Sequence, residues 1–104
     1  MRRENVNDFL AFIAVAREQS FTKAAAQLGV SQSALSYTVK TLEARLGLRL
    51  LTRTTRSVAL TETGRAFFEQ ADAAFGQLEA AFESARSLAD DASVASGLRA
   101  LFAP

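Results

Sequence analysis

The sequence contains no cysteine and no histidine. Without cysteine there can be no disulfides and no thiolate metal sites. Without histidine the commonest general base and the commonest metal ligand are both missing. An enzyme made from this chain would need paired carboxylates in a pocket, and its acids are instead scattered along the polar sides of predicted helices. No catalytic residue, metal or cofactor is therefore expected. Proline occurs once, at Pro104, and glycine five times in 104 residues, so little interrupts helix formation. Long apolar runs are absent too: none approaches the roughly 20 residues of a membrane span. The N-terminal MRRENVNDF lacks the apolar core of a signal peptide. The expected location is cytoplasmic.

What is present is enough for one modest core and too little for two: 49% apolar residues with 22% charged. The net charge of +1 hides a division. Residues 1–60 carry nine Lys/Arg against four acids, and residues 61–104 carry three Arg against seven acids. A basic half suggests a polyanionic partner, and an acidic half suggests a different task. Uneven charge is also common in small domains, so charge alone leaves the two readings level.

Phe9, Phe12, Ile13 and Ala16 recur at i, i+3, i+4 and i+7, the mark of a helix that buries one stripe. Asn5 or Asn7 is a suitable cap for it. After a turn at 18-EQS-20, the run 22-TKAAAQLG-29 predicts a short second helix, with Thr22 as N-cap and Gly29 as C-terminal stop. Its three alanines allow another helix to come close. Ser31 then caps a third helix, from about Gln32 to Leu46, which ends at Gly47. Leu35, Val39, Leu42 and Leu46 fall on one face of it. Ser33, Tyr37, Lys40 and Ala44 lie opposite, flanked by Gln32 and Ser36.

The next run, 48-LRLLTRTTRSVAL-60, places β-compatible Leu50, Leu51, Val58 and Leu60 on either side of a polar tip, 52-TRTTRS-57. It predicts two short strands with Arg53 and Arg56 exposed on the connecting loop. From Thr61 the pattern is helical for about 28 residues, roughly 42 Å. Phe68, Phe75 and Phe82 recur every seven positions, each followed after three by Ala71, Leu78 and Ala85. This is a seam alternating large with small. A partner helix, most simply the same helix of a second chain, accounts for it best; packing on its own domain competes for the first two turns. Gly76 within the pattern fits a close helix crossing. The tail 90-DDASVASGLRALFAP-104 is expected to fray. The predicted organisation is thus 1–60, 61–90 and 91–104.

A short helix, a turn with a glycine and an apolar residue, and a second amphipathic helix together make a helix-turn-helix. Small polar side chains at the start of the second helix suit the major groove of DNA. Gln32 can pair with adenine, and Ser33 and Ser36 with bases or phosphate. Tyr37 offers a hydroxyl and a ring, while Lys40 reaches phosphate or guanine. Thr22, Lys23 and the amides at the helix starts, including that of Ser31, are placed for phosphate. Arg53 and Arg56 would act as the wing.

The run 20-SFTKAAAQLGVSQSALSYTVKTLEARLGLRLLTRTTRSVALTETG-64 closely resembles the N-terminal DNA-binding domain of LysR-type transcriptional regulators. The matching pattern is S-F-x-x-A-A-x-x-L-x-x-x-Q-x-x-L-S-x-x-[IV]-x-x-L-E-x-x-L-G-x-x-L, then R, a basic turn, and L-T-x-x-G. The similarity extends over about residues 5–90. It implies a mainly α fold: a winged helix-turn-helix, with a three-helix core and a short β-hairpin wing, followed by a long linker helix. It also implies an antiparallel homodimer on that helix and bacterial transcriptional control at interrupted, roughly palindromic operators. By position, the groove-facing residues would be Gln32, Ser33, Ser36, Tyr37 and Lys40, with Arg53 in the wing. The sequence departs from the family pattern in three places. Ser33 replaces a frequent proline, Tyr37 a frequent basic residue, and Leu51 a common phenylalanine. Family members normally continue into an effector-binding domain of two α/β lobes, whose first strand 97-GLRALF-102 resembles. The expectation is DNA binding without response to a small-molecule inducer. The rival reading is a helical protein–protein dimerisation module whose basic half merely solubilises it.

Overall fold

A computed structural model describes residues 1–54 and 57–102. The chain divides into two compact units, Met1–Asp72 and Ala73–Pro104. The elements run α1 (Arg3–Glu18), α2 (Phe21–Leu28), α3 (Gln32–Leu46), β1 (Leu51–Arg53), β2 (Val58–Leu60) and α4 (Glu62–Phe102). The expected mainly helical fold, with three helices, a hairpin and a long helix, is present. The boundary between the two units lies inside α4.

Within the first unit α1 is the central helix: every residue from Ala11 to Ala16 is buried, a wider face than the single predicted stripe. Burial all round marks a helix enclosed by others. Neither Asn5 nor Asn7 caps it. The helix starts at Arg3, with Arg2 at the cap position and no side-chain bond there. Asn5 therefore lies inside the helix, where its Oδ1 accepts from Arg45 Nη2 of α3. The same guanidinium pairs with Asp8 at 3.1 Å, tying α1 to α3.

Ser20, not Thr22, caps α2: its Oγ accepts from the Lys23 N–H at 3.1 Å. Helix α2 consequently starts two residues earlier than a Thr22 cap would place it and buries Phe21. Two of the three alanines, Ala24 and Ala25, are buried against neighbouring helices, while Ala26 is exposed. Helix α3 has the predicted bounds, with Ser31 Oγ accepting from Ala34 N and Gly47 closing the end at φ 68°. Leu35, Val39 and Leu42 are buried; Leu46, at the last helical residue, is 41% exposed.

The hairpin forms without an Asn-Gly or Asp-Gly turn. β1 and β2 pair antiparallel, Leu51 with Leu60, Thr52 with Ala59 and Arg53 with Val58. Thr54 closes the end of the hairpin. Its N–H donates to Ser57 O at 2.9 Å and its Oγ1 accepts from Ser57 N at 2.9 Å.

Thr61 joins the hairpin to α4. Its Oγ1 donates to Arg49 O at 2.6 Å and accepts from Gly64 N at 2.9 Å, while its N–H donates to Leu50 O at 3.0 Å. The first turns of α4 then lay Phe67 against Phe9 and Phe12, with ring centroids 5.4 and 5.2 Å apart. Phe68 meets Phe12 edge-on at 6.4 Å. Phe68, assigned above to a seam for a partner, is thus half-buried within its own unit. Phe67, which the seven-residue pattern passes over, packs more closely. Helix α4 continues to Phe102, past the expected fraying near residue 90. No proline intervenes, and Ala, Leu and Arg favour helix. The segment Gly97–Phe102 is accordingly helix rather than strand. Among the described residues, no helix is long and apolar enough to cross a membrane.

Gly64 sets how closely α4 approaches β1. A Cβ at that position would lie 1.9 Å from the Leu50 carbonyl oxygen, a backbone atom that cannot swing aside. Gly64→Ala is expected to lower stability by about 2–3 kcal/mol or more, as overpacking against rigid structure does. Denaturant unfolding followed by far-UV circular dichroism measures this; an unchanged midpoint would contradict the close approach.

Candidate nucleic-acid interface

Burying Leu35, Val39 and Leu42 turns the other side of α3 outward. Gln32, Ser33, Tyr37 and Lys40 are all exposed, Tyr37 to 73%, and Ser36 is half-buried at the edge. Thr22 and Lys23 at the start of α2 and Ser31 at the start of α3 are exposed as well. These starts lie side by side, because Thr22 Oγ1 donates to Gln32 Oε1 at 3.3 Å. The predicted residues of the two helices therefore do share one surface.

Arg53 departs from expectation. It is not an exposed residue of the hairpin tip but the last residue of β1, turned back onto the helices and half-buried. Its Cζ stands 4.2 Å from the centre of the Phe21 ring, and its Nη1 donates to Ser36 Oγ at 2.7 Å. A guanidinium over an aromatic face is attracted by the ring quadrupole, by about 0.5–2 kcal/mol. Its Nη2 is buried without a hydrogen-bond partner. Arg56 lies outside the described residues. A groove of about 300 Å³ opens here, bordered by Ser20, Phe21, Thr22, Gln32, Ser36 and Arg53.

The charges sort by location. Arg17 is paired with Asp72 of α4, and Arg45 with Asp8. Lys23, Lys40 and Arg53 make no ion pair among the described residues. Two of the cations of the first sixty residues are thus matched by acids between helices, while Lys23, Lys40 and Arg53 lie beside α3's outer face. Glu43, the remaining acid of α3, is also occupied. Its Oε2 accepts from Leu50 N at 2.8 Å and Leu51 N at 3.2 Å, which fixes the start of the wing to the recognition helix.

Sequence reasoning did not find this role of Glu43, although Glu43 stands in the L-E-x-x-L-G pattern quoted above. A carboxylate one turn before the helix-ending glycine, followed by a strand whose first amides lack partners, is the signal. No group of three or more metal-ligating side chains occurs among the described residues.

The family model for bacterial regulatory helix-turn-helix proteins of the lysR family matches residues 6–65. The chain belongs to the LysR family. It corresponds to the N-terminal helix-turn-helix domain of these transcriptional regulators. Among relatives, it is 62% identical over 64 residues to the transcriptional regulator PgrR of Escherichia coli K12, covering 62% of this chain and 21% of PgrR. It is 48% identical over 84 residues to the regulator PtxR of Pseudomonas aeruginosa, covering 81% of this chain and 27% of PtxR. The chain thus spans less than a third of either LysR-type relative. Among solved structures, the BenM DNA-binding domain in complex with benA site 1 DNA superposes with a TM-score of 0.73. The identity is 34%, over 81% of this chain and 94% of that one.

Glu43→Ala is expected to cost about 2 kcal/mol, since two backbone donors lose a charged acceptor. Glu43→Gln, which keeps an acceptor oxygen, should cost less than half as much. Thermal unfolding of the three proteins compares them. Equal losses for both variants would mean that the wing is held by other contacts.

Proposed function

We propose that this LysR-family domain binds double-stranded DNA sequence-specifically as a homodimer, at an operator made of two separated half-sites in rough dyad. The observation that carries the reading is the exposed polar face of α3, flanked by Lys23, Lys40 and Arg53, which make no ion pair among the described residues. In this reading the N-terminal half of α3 enters the major groove, where Gln32, Ser33, Ser36, Tyr37 and Lys40 meet base edges and phosphate. Thr22, Lys23 and the amides at Ser31 hold the backbone. Arg53 and Arg56 belong to the wing side of the same surface. The co-crystallisation of the related BenM domain with DNA supports the reading by analogy.

The homodimer is supported by the second unit. Leu78 and Phe82 are 60% and 65% exposed in the single chain, four residues apart on one helix. Two large apolar groups left in water on one helix face favour a mate that covers them. Ala71, Phe75 and Ala85 continue the same seam, and Phe68 stands at its start against Phe12. Gly76 has no atom of its own chain near the position of a Cβ, which leaves room for a crossing helix.

Two measurements test these statements. Selection of duplexes from a random pool, followed by titration at several salt concentrations, is expected to yield a dyad motif whose affinity falls steeply with salt. Each neutralised phosphate contributes about −0.9 to the slope of log K against log salt. No enriched motif, or an affinity indifferent to salt, would sink the DNA reading. Phe82→Asp is expected to shift sedimentation from dimer to monomer and to weaken binding to the two-half-site duplex by about tenfold or more, since linked sites gain affinity from effective concentration. An unchanged sedimentation coefficient would remove the seam from the dimer.

A further inference from the structure

The direction of the hydroxyl protons on α3 bears on which bases the helix reads. Thr38 Oγ1 donates to Ala34 O at 3.0 Å and Thr41 Oγ1 donates to Tyr37 O at 2.8 Å, so both protons are spent on the helix itself. Ser36 makes no such bond to its own helix. Its Oγ lies 2.7 Å from Arg53 Nη1. A guanidinium has donors and no acceptor, so the Ser36 oxygen must accept there. The Ser36 proton is left over, and it finds no acceptor among the described residues.

One turn earlier the polarity repeats. Thr22 donates to Gln32 Oε1, which engages the carboxamide oxygen and leaves the two N–H groups of Gln32 to face outward. The Ser36 arrangement does not depend on a loose side chain. Arg53 is fixed by β1, by the Phe21 ring and by Ser36 itself, and Thr22 by the capped first turn of α2.

We infer that Arg53 and Thr22 bias the N-terminal half of α3 towards donating, so that base positions beneath Ser36 and Gln32 are read preferentially as acceptors, with guanine favoured over cytosine. The inference rests on the DNA-binding reading above and adds the chemistry of the preferred base edge. In the major groove guanine presents two acceptors, N7 and O6, whereas cytosine presents only its N4 amino donor. With one lone pair of each oxygen already engaged, a facing donor meets a weaker acceptor and a facing acceptor meets a free proton, which favours guanine over cytosine. Arg53 is here a positioning residue that acts through Ser36, and Thr22 acts likewise through Gln32.

The test uses the full chain and the duplex obtained by selection. Each half-site position is replaced by all four bases, and affinities are compared for wild type, Ser36→Ala, Arg53→Met and Arg53→Lys. The expected result is a position at which cytosine binds about tenfold worse than guanine, a ratio that Ser36→Ala reduces to about threefold or less. Arg53→Met frees the Ser36 oxygen and should relax the same position, while Arg53→Lys still donates and should keep most of the ratio. Replacing that guanine by 7-deazaguanine should weaken wild type more than Ser36→Ala. A purely structural Arg53 would instead weaken every sequence alike and leave the base ratios unchanged. Should Arg53→Met bind no duplex at all, the Ser36→Ala and 7-deazaguanine comparisons decide. Cytosine tolerated at every position, or a preference that survives Ser36→Ala and Gln32→Ala alike, would overturn the inference while leaving DNA binding intact. Failure to select any duplex would overturn the DNA-binding reading instead.

Discussion

The first unit depends on a single constraint: Leu35, Val39 and Leu42 must be buried while the residues beside them in sequence stay wet. Burial of three large aliphatic groups fixes the rotation of α3 about its own axis, because a helix turned by one residue would drive Ser36 or Lys40 into the core. The rest of the unit serves that rotation. α1 supplies a fully enclosed apolar wall around Phe12 and Val15. α2 supplies alanines that let it lie close, and Gly29 and Gly47 end their helices in the left-handed conformation that glycine adopts without strain. The outer face of α3 is therefore defined by what lies beneath it.

Electrostatics follows the same division. Arg17 and Arg45 are cations used as rivets, each crossing from one helix to another and each matched by an acid. Exposed pairs of this kind contribute little to stability, typically about 0–1 kcal/mol, but they remove charge from the surfaces they occupy. Among the described residues, Lys23, Lys40 and Arg53 have no acid partner on the surface formed by the starts of α2 and α3 and the end of β1. Glu43, which would otherwise set a negative charge near that face, is turned towards the Leu50 and Leu51 amides. A chain of net charge +1 can thus present a distinctly basic face.

Much of this was legible in the sequence, and the failures share a cause. The bounds of α3, its cap Ser31, its stop Gly47 and its buried stripe were readable because each depends on neighbours within one or two turns. The paired strands were readable from β-compatible residues around a polar tip. The choice between Ser20 and Thr22 as the cap of α2 failed because both are good caps, and the burial of Phe21, a tertiary matter, decides between them. The length of α4 was under-read because small polar residues after residue 90 carry no helical stripe, whereas the absence of proline lets the helix continue to Phe102. Phe67 was missed because Phe68 satisfies the seven-residue pattern, while the demand for Phe67 comes from Phe9 and Phe12 far away in the chain. Arg53 illustrates the point most directly. An arginine is equally at home in water or over a ring, and Phe21 and Ser36, which settle the matter, belong to two other helices.

Ala24 and Ala25 have a consequence for how such a domain can change over generations. Both are almost fully buried at the points where α2 meets its neighbours. Any larger side chain there would push α2 away and tilt the helix it supports. Ser33, Tyr37 and Lys40 on α3, by contrast, are exposed and can be exchanged with small effect on folding. Mutational tolerance is thus lowest where no ligand is touched and highest where one would be read. A scaffold with that distribution can acquire a new target sequence in a few steps while its architecture stays fixed.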